Sequence, residues 1–143
     1  MEPFKKCFHI KENDFIRAGE ATISIQNILK TLHIDSKIIR RIAICGYEGE
    51  MNIVMHGGGG EMCIVLDAKM LSMEITDTGP GIENIEKAMT AGFSTAKNEH
   101  REMGFGAGMG LPNMKKNADT FQIESNVGSG TQVRMSFRLN EAG

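Results

Sequence analysis

Three polar side chains recur at four-residue intervals in one stretch of the chain. Glu48, Asn52 and His56 stand at positions i, i+4 and i+8, so a helix would place them on one side. A carboxylate there can act as a general base, and an amide oxygen can join the ligand shell of a magnesium ion. A solvated helix face explains the three residues equally well, and for His56 packing at the helix end is the expected role.

Asp77 begins a second motif, Asp77-Thr-Gly79-Pro-Gly81. It ends a strand pattern, and its register turns the carboxylate toward the same layer as the apolar side chains of that strand. A charge there needs a partner. An adenine amino group would supply a donor, and the glycines would let a flat base lie against the backbone. A simple turn explains the motif in isolation, but its position two strands after Glu48 favours a binding site.

A glycine cluster lies before a predicted helix and comprises Gly104, Gly106, Gly108 and Gly110. Backbone N–H groups at a helix N-terminus bind phosphate, although this spacing is neither a P-loop nor Gly-x-Gly-x-x-Gly. A flexible lid over residues 92–107 explains the same glycines. Lys97 and Arg101 could reach a terminal phosphate, with solvated loop charges as the alternative.

The last cluster, Gly128-Ser-Gly130-Thr131, resembles a hairpin turn. Thr131 begins the final strand with its side chain on the predicted buried face. Its hydroxyl would then lie beneath the Asp77 carboxylate or a purine.

Hydrophobic spacing predicts the elements that position these residues. Predicted helices cover residues 14–32 (capped by Asn13 or Asp14), 36–56, 83–90 and 110–118. Predicted strands cover 4–10, 61–67, 70–77 and two segments at the end of the chain. Gly46 and Gly49 inside the second helix each cost about 1 kcal/mol relative to alanine, so either another group approaches the backbone there or the helix is locally weak.

The fold class follows from the polarity of the strands. Apolar and polar residues alternate from Thr131 to Leu139, which is typical of a sheet covered on one face only. Helices on one face of a mixed, mostly antiparallel sheet form a two-layer α/β sandwich. The length of 143 residues predicts one domain over residues 1–143.

Composition limits the partners and the compartment. A net charge of −2 gives no attraction to nucleic acid or to an anionic membrane, and no apolar run is long enough to span a bilayer. The three cysteines show no paired spacing, so neither a disulfide framework nor a zinc site is expected. Reduced thiols indicate a cytoplasmic protein.

In order and spacing these blocks resemble the GHKL ATP-binding family, which includes gyrase, Hsp90-type chaperones, histidine kinases and MutL. Its N box, Glu-x-x-x-Asn, matches Glu48 and Asn52. Its three glycine boxes match the motif that begins at Asp77, the glycines at 104–110 and the segment 128–131. The likeness extends from about residue 14 to residue 139.

Within that family the chain is most similar to anti-sigma-factor serine kinases of the partner-switching type. The resemblance implies a Bergerat fold, ATP or ADP with Mg²⁺, a STAS-type or sigma-factor partner, and homodimers, which are common in those kinases. It implies Glu48 as catalytic base, Asn52 as magnesium ligand and Asp77 as adenine contact. The other implied nucleotide contacts are Gly79, Gly81, Lys97, Arg101, Gly104, Gly106, Gly108, Met109, Gly110, Leu111 and Thr131. Gly46, Gly49 and Glu50 have no counterpart in the family pattern.

Two other functions remain open. One is a nucleotide-gated binding module with negligible phosphotransfer. The other is a histidine-kinase catalytic domain, which would act only in trans because the residues before the first predicted helix cannot supply a phosphoacceptor hairpin. A chaperone- or topoisomerase-like ATPase would need a transducing domain after the last strand.

Overall fold

The structure, a computed structural model, describes residues 2–56, 58–82, 85–89 and 110–140. Its elements are β1 (Phe4–Ile10), α1 (Glu20–Thr31), α2 (Ser36–His56), β2 (Gly60–Leu66), β3 (Met70–Asp77), α3 (Ile85–Ala88), α4 (Gly110–Asn117), β4 (Thr120–Asn126) and β5 (Gly130–Arg138). Among these helices, none combines the length and apolar character needed to cross a membrane.

The five strands form one sheet in the order β1-β2-β3-β5-β4, and each neighbouring pair is antiparallel. Burial alternates along β3, where Leu71, Met73 and Ile75 are buried and the residues between them are exposed. The inward side chains of the sheet join those of α1, α2 and α4 in one hydrophobic core. The predicted two-layer α/β sandwich is therefore confirmed.

The centre of the helical layer is α2, and its bounds agree with the prediction. A Cβ atom added at Gly46 would lie 3.1 Å from Thr22 Oγ1 and 3.6 Å from Met73 Cε. One added at Gly49 would overlap the Cδ1 atom of Ile75. The two glycines thus let α2 approach both α1 and β3, and the prediction that another group comes close to the backbone is confirmed.

The predicted start of α1 is wrong by six residues. The helix begins at Glu20 rather than at Asp14, and Asn13 is not its cap. Asn13 and Gly19 have φ values of 61° and 98°, so the chain turns twice in the left-handed region before the helix begins. Its cap is a side chain from α2, at a distance in sequence that local patterns do not reveal.

That cap is Glu50, whose side chain is 2% exposed. Its Oε2 atom accepts hydrogen bonds from the backbone N–H groups of Gly19 at 2.8 Å and Ala21 at 3.3 Å. Its Oε1 atom accepts bonds from the N–H and the hydroxyl of Thr22, at 3.1 and 2.8 Å. A carboxylate buried at the start of a helix is stabilised by those N–H groups and by the helix dipole.

The prediction that the cysteines do not pair is also wrong. Cys7 of β1 and Cys63 of β2 are directly opposite each other in the ladder and form a disulfide. Strand register, rather than spacing along the chain, brings them together. Cys45 is free and buried in α2, and burial raises the pKa of its thiol to about 12.

Candidate functional site

The packing of α4 on α2 brings two of the predicted site residues together. Glu48 and Asn52 lie one turn apart on α2, and both face the first residue of α4, Gly110. A Cβ atom at Gly110 would lie 3.2 Å from Glu48 Oε2 and 3.4 Å from Asn52 Oδ1. The missing side chain therefore lets the N-terminus of α4 approach a carboxylate and an amide at once.

Glu48 is half-buried, and burial raises the pKa of its carboxyl group above the usual range. A hydrogen bond from the side chain of Asn113 partly opposes that rise. A carboxylate that is poorly solvated and held in place is a better proton acceptor than one on the surface. Glu48 also lies at the edge of a groove between α1 and α2.

Asn113 was not among the predicted site residues. Asn113 stands three positions after Gly110, and residues at this spacing are neighbours on a helix surface. The prediction of a helix that begins near Gly110 was therefore the signal that could have identified it.

The other end of α4 is anchored as well. Arg41 of α2 donates from Nε to the carbonyl oxygen of Asn117 at 2.9 Å and from a terminal nitrogen to Asp119 Oδ1 at 3.0 Å. Met114, in the middle of α4, is fully buried, and its carbonyl oxygen accepts a bond from the Cys45 thiol at 3.5 Å. The position of Gly110 is thus determined by contacts along the whole of α4.

Asp77 ends β3 and is half-buried. Its Oδ1 atom accepts hydrogen bonds from the backbone N–H groups of Gly79 at 3.0 Å and Thr131 at 3.1 Å. Burial raises the pKa of this carboxyl group, and the two N–H groups partly oppose the rise. Within the described residues, Oδ2 has no hydrogen-bond donor. The two bonds to Oδ1 therefore fix the orientation of the Asp77 side chain, and Oδ2 is available to accept a hydrogen bond from a ligand.

The glycines around Asp77 are required by close backbone approaches. Gly81 has a φ of 79°, and a Cβ atom there would overlap the carbonyl oxygen of Asn126. A Cβ atom on Gly130 would overlap the carbonyl oxygen of Asp77. The first and third glycine boxes thus pack against each other, which makes these glycines structural whether or not they also contact a ligand.

The Thr131 hydroxyl has a different partner from the one predicted. It hydrogen-bonds to Ser125 Oγ at 2.9 Å, and it is the backbone N–H of Thr131 that binds Asp77. Ser125 Oγ also accepts a bond from the N–H of Ile82 at 2.7 Å and lies 3.1 Å from the carbonyl oxygen of Gly130. Ser125 was missed because its role depends on the pairing of β4 with β5.

Several predicted site residues cannot be placed. The predicted lid over 92–107 and the side chain of His56 lie outside the described residues, as do Lys97, Arg101, Gly104, Gly106, Gly108 and Met109. Leu111 is half-buried and packs against the core beside Gly110. The described part of the site therefore consists of the α2–α4 contact and the loop after β3.

Comparison with known proteins defines the class. The family model described as "Histidine kinase-, DNA gyrase B-, and HSP90-like ATPase" matches residues 47–141, a range that contains Glu48, Asn52 and Asp77. The chain belongs to this ATPase family, and the predicted resemblance is confirmed. A mycobacterial sensor histidine kinase, MprB, superposes with a TM-score of 0.54 over 94% of this chain and 97% of its own, at 13% sequence identity. That likeness shows the shared fold.

Relatives with known names give a narrower comparison. An anti-sigma F factor of Thermoanaerobacter sp. (strain X514) is 32% identical over 119 residues, which are 83% of this chain and 76% of the relative. One from Clostridium acetobutylicum is 34% identical over 118 residues, 82% of this chain and 75% of the relative. The serine/threonine-protein kinase RsbT of Bacillus subtilis (strain 168) is 34% identical over 113 residues, 76% of this chain and 79% of its own.

Proposed function

We propose that this chain is a cytoplasmic anti-sigma regulatory factor that binds ATP with Mg²⁺ and phosphorylates a serine or threonine on a STAS-type anti-anti-sigma partner. The observation that carries the proposal is the meeting of Glu48 Oε2 and Asn52 Oδ1 at Gly110. A base and a metal ligand at a helix N-terminus are what transfer of a terminal phosphoryl group requires. The names of the relatives support the choice of partner.

The residues on hand fit an adenine nucleotide. Asp77 Oδ2 is an acceptor for the adenine amino group, and the bonds from Gly79 and Thr131 to Oδ1 orient it in advance. Asn52 offers the hard oxygen that Mg²⁺ prefers. When bound, Mg²⁺ would neutralise negative charge on the phosphates. For contacts to the nucleotide we further propose Gly79, Gly81, Lys97, Arg101, Gly104, Gly106, Gly108, Met109, Gly110 and Leu111.

In the transfer step, Glu48 takes the proton from the partner's hydroxyl group as the oxygen attacks the terminal phosphorus. The bond between that phosphorus and the bridging oxygen breaks, and ADP leaves. The raised pKa of Glu48 strengthens it as a base, and the bond from Asn113 holds the carboxylate at the start of α4.

The test is transfer of labelled γ-phosphate from ATP to STAS-domain proteins encoded near this gene. Glu48→Gln should reduce transfer by about 10²–10⁴-fold, the usual contribution of a general base, and leave ATP affinity nearly unchanged. Glu124→Gln is the matched control, because Glu124 is exposed on β4 and should behave as wild type. Phosphoserine survives acid treatment whereas phosphohistidine does not, so acid stability of the label separates serine transfer from histidine transfer in trans.

Two results would change the conclusion. If ATP binds but no partner is ever labelled, the chain is a nucleotide-gated binding module. If ATP with Mg²⁺ does not bind at all, the site itself is wrongly assigned. Co-purification with a sigma factor in ATP and in ADP, followed by measurement of the mass of the complex, tests the anti-sigma role and the homodimer.

A further inference from the structure

The uncovered face of β1 and β2 carries four side chains with metal-binding atoms. Cys7 and His9 are two residues apart on β1, and Glu61 and Cys63 are two residues apart on β2. In the ladder Cys7 is opposite Cys63, and His9 is opposite Glu61. Met62, between the two β2 residues, is fully buried, so the four side chains project away from the core as a two-by-two group.

Three of the four donor atoms already lie close together. The ligand atoms of Cys7, Glu61 and Cys63 all lie within 4.8 Å of one another. The fourth residue joins through Glu61, since His9 Nδ1 lies 3.7 Å from Glu61 Oε1. The Cys63 sulfur lies 3.7 Å from Glu61 Oε2. Four donors around a tetrahedral zinc ion are roughly 3.3–3.8 Å apart, given metal–ligand bonds of about 2.0–2.3 Å.

Glu74 is a neighbouring acid that does not belong to the group. It lies opposite Cys63 on the other side of β2. Its Oε1 atom accepts a hydrogen bond from Gln132 Nε2 at 2.7 Å, and its Oε2 atom pairs with Arg134 Nε at 3.8 Å. The carboxylate of Glu74 is therefore already bound by residues of β5. Glu61 is the neighbouring acid whose carboxylate is available to a metal ion.

We propose that the reduced protein binds one zinc-like cation through Cys7, His9, Glu61 and Cys63, and that the Cys7–Cys63 disulfide is the closed, metal-free state of the same site. Two thiolates, an imidazole and a carboxylate are a donor set that suits Zn²⁺ and Co²⁺ rather than Mg²⁺. The ligands come in two i, i+2 pairs from strands far apart in sequence, so no sequential Cys-x-x-Cys spacing reveals them.

The exchange between the two states balances with a dithiol as reductant. A thiolate of the dithiol attacks the disulfide, and the second thiol of the reagent resolves the mixed disulfide. The reagent leaves as its own disulfide, and Cys7 and Cys63 become thiols. Cys7 is exposed, so its sulfur is accessible to attack. Binding of the cation then forms two metal–sulfur bonds and releases two protons. An oxidising disulfide reagent reverses the sequence and expels the cation.

The experiment is an anaerobic Co²⁺ titration of the full chain reduced with a phosphine. We expect one Co²⁺ per chain, with thiolate charge-transfer absorption in the near ultraviolet, visible bands of tetrahedral Co²⁺, and displacement by Zn²⁺. Cys7→Ser and Cys63→Ser should each weaken or abolish these bands. His9→Ala and Glu61→Ala should each weaken binding by roughly tenfold or more, at least the effect of losing an outer-shell contact. The disulfide form should bind none.

Cys45→Ser is the matched control, since this buried thiol should contribute no absorption. A fluorescent nucleotide titration of every variant checks that the fold is retained, because the site lies on the sheet face away from α2 and α4. Absence of thiolate bands in the reduced wild type would overturn the proposal. Bands that persist in both cysteine variants, or affinity unchanged in both His9→Ala and Glu61→Ala, would overturn the assignment of the four ligands.

Discussion

Replacing Asp77 by asparagine tests the roles of its two carboxylate oxygens separately. In the wild type Oδ1 accepts two backbone N–H bonds, from Gly79 and Thr131, and Oδ2 has no donor within the described residues. The carbonyl oxygen of an asparagine can accept the same two bonds, so the loop should keep its conformation. The amide nitrogen then takes the place of Oδ2 and converts an acceptor into a donor. The adenine amino group would meet a second donor there.

The expected magnitude follows from that mismatch. A buried polar group that loses its partner costs about 1–3 kcal/mol, which corresponds to a roughly 5–150-fold higher Kd for ATP. Inosine triphosphate carries a keto oxygen where ATP carries the amino group. The asparagine variant should therefore lose the preference for ATP over inosine triphosphate, or reverse it, while the wild type prefers ATP.

Titration calorimetry with both nucleotides, together with thermal melting, measures these effects. Asp67→Asn is the matched control, because Asp67 also accepts two backbone N–H bonds on Oδ1, at 2.8 Å from both Lys69 and Met70, but in an exposed turn away from the site. An unchanged Kd for ATP in the Asp77 variant would remove Asp77 from the base-binding position. Equal weakening of both nucleotides would show that Asp77 supports the loop without reading the base.

Other predictions concern stability. Gly49→Ala forces a methyl group onto Ile75 Cδ1. Overpacking costs about 1–3 kcal/mol and alanine favours the helix by about 1 kcal/mol, so chemical denaturation should show a net loss in the free energy of unfolding. Ile75→Val removes the Cδ1 carbon and should partly restore that free energy. Additive effects in the double variant would refute this contact. Glu50→Gln leaves buried N–H donors facing an amide group and should lower the free energy of unfolding by about 1–3 kcal/mol; an unchanged melting temperature would contradict the cap. Burial raises the pKa of Glu48 and Asp77, so the folded state binds their protons more tightly than the unfolded state. The stability that these protonated groups contribute is complete below their unfolded-state pKa values and is lost as the pH rises through their folded-state pKa values. Glu48→Gln should therefore melt no lower than wild type at neutral pH and show a flatter pH profile; a clear drop at neutral pH would refute the cost of burying this charge.

Regular elements with a strong apolar pattern were predictable from the sequence. The bounds of α2 and of β3 agree with the structure, because buried residues recur at helical spacing along α2 and alternate with exposed residues along β3. The start of α1 was not predictable in this way. Its cap is the carboxylate of Glu50 on another helix, and residues 11–19 form turns that a helical apolar pattern does not exclude.

The sequence predicted several residues of the candidate site but not the contacts between them. The types and spacing of Glu48, Asn52 and Asp77 indicate their chemistry, but the partners Asn113 and Ser125 depend on how α4 packs and how β4 pairs. The prediction for the cysteines was wrong for the same reason, because strand pairing brings together Cys7 and Cys63, which are 56 positions apart. Long-range contacts of this kind have no periodic signal along the chain.

Glu48 and Glu50 belong to the same turn of α2 but serve different neighbours. Glu48 faces the start of α4, whereas Glu50 holds the first turn of α1 through four hydrogen bonds. Each bond to a charged group contributes about 1.5–3 kcal/mol. A movement of α2 near Glu48 would therefore also move the start of α1, through the hydrogen bonds that Glu50 accepts.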